Sequence, residues 1–470
     1  MSLESTPPTP APAPVIPPAI KPRERDAILQ SLRAGVVPRM GLRHLQVGRR
    51  DEVAAVLGDL ERVAGGSASV RFVVGRFGAG KSFFLNLARM VALDKKFVVV
   101  QADLTTDRRL QGSSGQARGL YAELMQNLAT RSKPEGGALP SVVERWVSDV
   151  DHEVRAAGGD DAAVGKAIDE RLRPLQELVS GYDFATVVRK YLEGFQSQNE
   201  VLTASALRWL RAEYRTKTEA RGDLGVRSII EDAQIYDYMK LLAAFVRMGG
   251  YAGLLVNLDE MGVLSHRLNS TQARNANYEM ILRIVNDCLQ GNVTGIGFLF
   301  GGTDAFLEDR RRGLASYEAL ASRLAGNAFA SGDLKDLSGP VVRLPNLTVE
   351  ELYALLNNIR NVFAGGDPAK HLVPDDALVA FLNHCAKTIG ADYFRTPRDS
   401  VKAFVGLLSV LEQNPTADWK ALLSTTKVET VADPESKPIA DDKPEATTKA
   451  TVADALISPG KDEDLASFKL

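Results

Sequence analysis

Apolar positions along this chain follow two rhythms. Short continuous runs, Val70-Arg71-Phe72-Val73-Val74, Phe97–Val100, Leu254–Leu258, Ile296–Phe300 and Val341–Leu344, predict buried strands. Between them apolar residues recur at helical spacing, as in Leu120, Tyr121, Leu124, Met125 and Leu128, and again from Ile235 through Tyr238, Met239, Leu242 and Phe245. Strands separated by helical stretches predict an α/β fold with a parallel sheet. Residues 132–230 carry no strand-like run and read as mainly helical, and Pro345 to about Lys420 is helical throughout. The two ends differ from the body. Residues 1–22 contain eight prolines, and from about Lys427 the chain is polar with no aromatic residue before Phe468. Neither end has the composition to fold alone.

The division expected from these patterns is a disordered Pro-rich arm (1–22), the first part of a nucleotide-binding core (23–131) and a mainly helical insertion (132–250). The second part of the core (251–345), a helical lid (346–426) and a disordered polar tail (427–470) follow.

Candidate chemistry sits where strands end. Gly75-Arg76-Phe77-Gly78-Ala79-Gly80-Lys81-Ser82 fits G-x-x-x-x-G-K-[ST] and lies between the first apolar run and a helical stretch opening at Phe83. Glycines let backbone N–H groups close around phosphate oxygens at a helix N-terminus. The pattern predicts Gly75, Gly78, Ala79, Gly80 and Phe83 around a nucleoside triphosphate, with Lys81 on the β/γ-phosphates and Ser82 on Mg²⁺. Leu254–Leu258 ends in Asp259-Glu260, which suits a metal-orienting carboxylate followed by one that polarises the attacking water. Ile296–Phe300 runs into Gly301-Gly302-Thr303, and Thr303 is a candidate γ-phosphate sensor. Arg312 and Arg323 are candidate arginine fingers acting on a neighbouring subunit. Thr396-Pro397-Arg398 opens a helix with an arginine in its first turn, against the helix dipole, which makes sense opposite a phosphate. Gly48 and Arg49 precede the core by one helix and are expected to form an adenine-side wall.

Composition narrows the function classes. The 470 residues carry a formal net charge of −2, so no overall basicity argues for a nucleic-acid partner. Arg33, Arg39, Arg43, Arg49 and Arg50 crowd one stretch, either a nucleotide-facing or solvated surface or a DNA track. Two cysteines, Cys288 and Cys385, and five scattered histidines exclude a disulfide framework and a zinc motif. No run of 18 apolar residues and no signal-like N-terminus occur, so a cytoplasmic protein without a membrane partner is expected.

The order of phosphate loop, acidic strand end, polar strand end and lid arginine resembles the AAA+ ATPases, especially the branch near the initiator ATPases with a V-G-R-x-x-E lead-in. Here that lead-in is Val47-Gly48-Arg49-Arg50-Asp51-Glu52. Several segments are more similar still to the ATP-binding proteins of BREX-type phage-defence clusters, the BrxD-like group. These are Gly75 to Phe83, Val256 to Glu260, Asn277-Tyr278-Glu279, Asn286 to Gly291, Phe300 to Thr303, Arg311 to Leu324 and Thr396 to Asp399. The resemblance covers roughly 23–425, with Asp304 standing where that family's G-G-T-P stretch has proline. It implies an ATPase subunit of an antiviral system, with Mg-ATP as its cofactor and other defence-system proteins as partners, acting near DNA or with DNA-modifying partners. A homo-oligomer is expected if Arg312 or Arg323 acts in trans. Two other readings stay open: a nucleotide-gated scaffold with little turnover, and a DNA-binding loader.

Overall fold

The computed structural model describes residues 20–330, 335–389 and 397–425. The arm before residue 20, the tail after residue 425 and the expected Thr396 cap lie outside the described residues.

Five strands form one parallel sheet: β1 (Ala68–Val74), β2 (Val98–Asp103), β3 (Leu254–Asp259), β4 (Ile296–Gly302) and β5 (Val341–Arg343), in the order β2-β3-β4-β1-β5. Each coincides with one of the apolar runs. Because all run the same way, their carboxyl ends share one edge. Asp103 lies opposite Asp259, and Val74 lies between Gly302 and Arg343. The chain leaves β1 toward β2 on one side and returns through β4 to β5 on the other. That reversal opens a crevice at the strand ends, where ligands of such sheets bind.

Strand residues alternate between two helical layers, as a period of two requires. Val73, Val99, Leu255, Leu299 and Val342 pack with α2 (Arg50–Ala64) and α3 (Lys81–Asp94). Phe72, Val98, Val256, Phe298 and Phe300 face the opposite layer, which contains α4 (Gln116–Gln126). Arg71, the charge inside the first run, is buried on the α2 side, where its Nη2 donates to Asp59 Oδ1 at 2.9 Å. Its other nitrogens reach Asp59 and the backbone carbonyls of Leu337 and Gly339. A buried arginine is tolerated because every side of its guanidinium meets an acceptor.

Between α4 and β3 come α5 (Leu139–Ala156), α6 (Asp161–Gln176), α7 (Gly181–Gln196), α8 (Glu200–Leu210), α9 (Lys217–Leu224) and α10 (Ile235–Met248). Their apolar faces join the sheet's in one continuous core. Phe245 of α10 packs against Trp146 of α5 and Phe184 of α7, and Tyr238 against Trp209 of α8. Short α11 (Gly262–His266) and long α12 (Thr271–Gln290) follow β3, and α13 (Asp304–Glu308) and α14 (Glu318–Arg323) follow β4. Cys288 on α12 is buried, and burial pushes its thiol up to about 12.

Beyond β5, α15 (Val349–Phe363), α16 (Asp375–Ile389), α17 (Pro397–Gln413) and α18 (Trp419–Thr425) build a second core around Leu356, Ile359, Phe381, Phe404 and Leu408. The N-terminal helix α1 (Pro22–Ala34) belongs to this bundle through Ile28 and Leu29. The stretch expected to open the nucleotide-binding core thus begins with a helix of the C-terminal bundle. No helix among the described residues is long and apolar enough to cross a membrane.

Candidate functional site

The chain between β1 and α3 curls back on itself at the carboxyl edge of the sheet. Gly78 and Gly80 have φ of +77° and +88°, a left-handed conformation that a side chain would strain. Lys81 opens α3 and donates from Nζ to the carbonyls of Gly75 (2.9 Å) and Arg76 (3.0 Å), so its ammonium bridges the start of the loop. Ser82 Oγ donates to Asp259 Oδ2 at 2.6 Å. That bond joins residues far apart in the chain and ties the loop to the acidic end of β3.

Asp259 is held from two more sides. Its Oδ1 accepts from the Glu260 amide at 2.9 Å, and a Cβ on Gly301 would come within 2.3 Å of it, so glycine is required at the neighbouring end of β4. Glu260 itself has φ of +58°, and a non-glycine residue in that region costs about 1–2 kcal/mol. The turn is held in place by the Met261 amide, which donates to Gly301 O at 3.0 Å. Its effect is to bring the exposed Glu260 into the same cleft as Asp259, which is buried.

The Thr303 side chain accepts from the Phe306 amide at 3.2 Å, capping α13. It lines the cleft as well, so capping and proximity to the site coexist. Asp304 is the first residue of α13, where an acid suits the helix dipole, and it pairs with Arg343 at 3.2 Å.

These residues surround a cleft of about 620 Å³, lined by Phe77 to Phe83, Asp259, Glu260 and Thr303. Its other side is apolar, with Leu32, Val36, Leu45, Val47, Leu355 and Val401. The chain matches the family described as BREX system ATP-binding protein BrxC/D over residues 20–427. It belongs to that family. No curated protein and no solved structure matches it.

For a BREX ATP-binding protein, the remaining expected residues fall into two groups. Arg49 and Arg398 reach the cleft. Arg49 sits at φ +56° just before α2 and donates to the carbonyl of Ala79 in the loop and to Pro345 O at 3.3 Å. Burial lowers the pKa of its guanidinium, with Glu52 and Glu351 opposing, and its Nη1 is buried with no acceptor. Gly48 is turned away toward α15: a Cβ there would come within 2.0 Å of Glu351, which forms the capping box of that helix with Thr348. Gly75 likewise lies behind the lining, its N–H on Gly302 O at 3.3 Å.

Arg312 and Arg323 do not line the cleft. Arg312 donates to Leu268 O at 3.1 Å, and Arg323 is held by Asn286 and by Ala319 O. In the crowded basic stretch, Arg39 and Arg49 face the cleft, while Arg43 pairs with Glu24 (3.2 Å) and Arg33 bonds Ser409 (3.0 Å) on α17.

Asp103 and Gln101 at the end of β2 also line the cleft, beside Asn86 and Arg39. Asp103 is held above its usual carboxylate range because the cleft walls displace water from it and Asp259 adds like charge, with Arg108 and Arg39 opposing. Its surface remains solvent-exposed, so screening moderates the effect. The run Val98-Val99-Val100 ending in an acid was a visible signal, but only the sheet order puts that end next to Asp259.

The oxygen set fits Mg²⁺. The Ser82 hydroxyl and the Asp259 carboxylate are hard donors in hydrogen-bond contact, and a cation that keeps waters and phosphates needs only one or two such ligands. Among the described residues no cluster of three or more His, Cys, Asp or Glu side chains offers an all-protein cage.

Proposed function

We propose that this protein is an Mg-ATP hydrolase of the AAA+ type, with the C-terminal bundle as its lid, and that nucleotide state sets lid position in a BREX phage-defence system. The observation that carries the reading is the Ser82–Asp259 bond at 2.6 Å, which joins phosphate loop and acidic strand end in one centre beside Glu260. The strand order β2-β3-β4-β1-β5 and the bundle residues bordering the cleft support it.

In this reading loop amides cradle the phosphates, and Lys81 moves from the carbonyls of Gly75 and Arg76 to the β/γ-phosphates. Ser82 and Asp259 hold Mg²⁺, whose charge when bound offsets that of the phosphate oxygens. Glu260 orients the attacking water and takes its proton. Thr303 bonds the γ-phosphate from the end of β4, and Arg398 reads it from the bundle. The apolar side of the cleft takes the adenine, with Arg49 behind the loop. Arg312 or Arg323, both outside the cleft, acts in trans within a homo-oligomer.

Steady-state phosphate release at rising protein concentration, with and without duplex DNA, tests the assembly part of the reading. Turnover per protomer that climbs with concentration supports a site shared between subunits. Further stimulation by DNA makes nucleic acid an effector. ATP binding with constant, negligible turnover under every condition would replace the hydrolase with a nucleotide-gated scaffold.

A further inference from the structure

An aromatic ring in a phosphate loop needs a reason, because most of that loop is backbone bent around an anion. Phe77 is half-buried and borders the cleft, and the guanidinium of Arg398 lies over its ring, 5.6 Å from the centroid. That separation is within the range of cation–π attraction. Arg398 has a second neighbour in Gly35, the residue that ends α1. A Cβ on Gly35 would come within 3.3 Å of Arg398 Nε and 3.6 Å of Nη2, and φ there is +70°. The guanidinium therefore rests between an aromatic ring from the loop and a bare backbone from the N-terminal helix. Three elements meet at this point: the loop after β1, the end of α1 and the first turn of α17.

A guanidinium held by attraction to a ring still has N–H donors to offer an oxyanion. A long arginine side chain also loses conformational freedom whenever it must reach a fixed acceptor. A ring that restrains it beforehand removes part of that loss.

We propose that Phe77 is a positioning residue: its ring, with Gly35 behind, holds Arg398 ready for the γ-phosphate and so couples the phosphate loop to the C-terminal bundle. This rests on the reading of Arg398 as the bundle's contact to the γ-phosphate. Phe77 touches no reacting atom in this account. It acts through Arg398, and its signature is discrimination between ATP and ADP, because ADP lacks the group that Arg398 reads.

The test is calorimetric titration of the full chain with Mg-ATP and with Mg-ADP, in a Glu260→Gln background that prevents turnover. Phe77→Leu keeps apolar bulk without the ring, and Phe77→Tyr keeps the ring. The expected result for Phe77→Leu is a two- to fivefold loss of ATP affinity, the equivalent of about 0.5–1 kcal/mol for a cation–π contact at an exposed arginine, with ADP affinity unchanged. Phe77→Tyr should bind both nucleotides like its parent. Phe77→Leu combined with Arg398→Gln should be no weaker for ATP than Arg398→Gln alone, since both remove one interaction.

Equal losses for ATP and ADP in Phe77→Leu would overturn the proposal and leave Phe77 a shaper of the loop. So would losses that multiply in the double variant. If Arg398→Gln alone leaves the ATP-to-ADP ratio unchanged, the γ-phosphate role of Arg398 falls and the proposal falls with it. If Arg398→Gln matters and Phe77→Leu does not, only the positioning role of Phe77 is lost.

Discussion

On the phosphate side of the cleft, the contacts run between ends of neighbouring strands: Ser82 to Asp259, Asp259 to the Glu260 amide, Met261 to Gly301. On the apolar side, helices and loops from both ends of the chain share one packed cluster, with Leu32 and Leu45 in it alongside Leu355, Ile359 and Val401. The first wall is held by directional bonds over short distances, and a single atom in the wrong place disrupts it. The second is apolar packing, which tolerates volume-conserving change and small sliding movements. In the proposed function, a bonded anion site beside an apolar wall is the construction expected when one wall does chemistry and the other follows it.

The contrast can be broken most severely at the loop lysine. Lys81→Ala removes the only lysine among the described residues that line the cleft and is expected to lower phosphate release at least about 10²-fold. Turnover near the wild-type rate would mean that chemistry happens elsewhere. Next comes Gly301→Ala, whose added Cβ would run into the Asp259 carboxylate. Overpacking of this kind costs about 1–3 kcal/mol, so a lower melting temperature should accompany weaker Mg²⁺ dependence of nucleotide binding. A variant with unchanged melting and metal dependence would show that Asp259 has room to move.

Arg49→Met sharpens the boundary between the walls. The thioether keeps the apolar stem but loses the bonds to Ala79 O and Pro345 O, an expected loss of about 1–2 kcal/mol in urea denaturation together with weaker nucleotide binding. Retained affinity in spite of lost stability would assign Arg49 to the scaffold alone.

The smallest effect concerns Asp103. A carboxyl raised on folding favours the folded state at low pH, and that contribution disappears as pH rises through its folded value. Asp103→Asn should therefore slightly raise the melting temperature of the nucleotide-free protein at pH 7, with the gain vanishing below about pH 4, near the unfolded value. A difference that does not change with pH would place the cause in packing.

Much of the rigid wall was legible because its signals are local. Strand, loop and helix follow one another within a few residues of Lys81, and Asp259-Glu260 closes an apolar run. All five strands were visible as such runs because a sheet covered on both faces demands them. What could not be read depends on residues meeting across the fold. Asn257 is a polar residue inside the third apolar run. It is buried in β3, flanked by β2 and β4, and donates to Leu85 O at 3.2 Å, fixing α3 to the sheet. Arg71 looks like a misplaced charge in a strand until Asp59 on α2 is beside it. The adjustable wall was the least legible. Nothing local announces that α1 packs with α15 and α17, or that Gly35, Phe77 and Arg398 converge.

The most direct test of the central claim pairs two readouts on one substitution, Glu260→Gln, which keeps size and hydrogen bonding while removing the proposed base. ATP affinity should match wild type within about threefold, and phosphate release should fall by about 10²-fold or more. Hydrolysis that persists in the variant would contradict a catalytic centre at the end of β3.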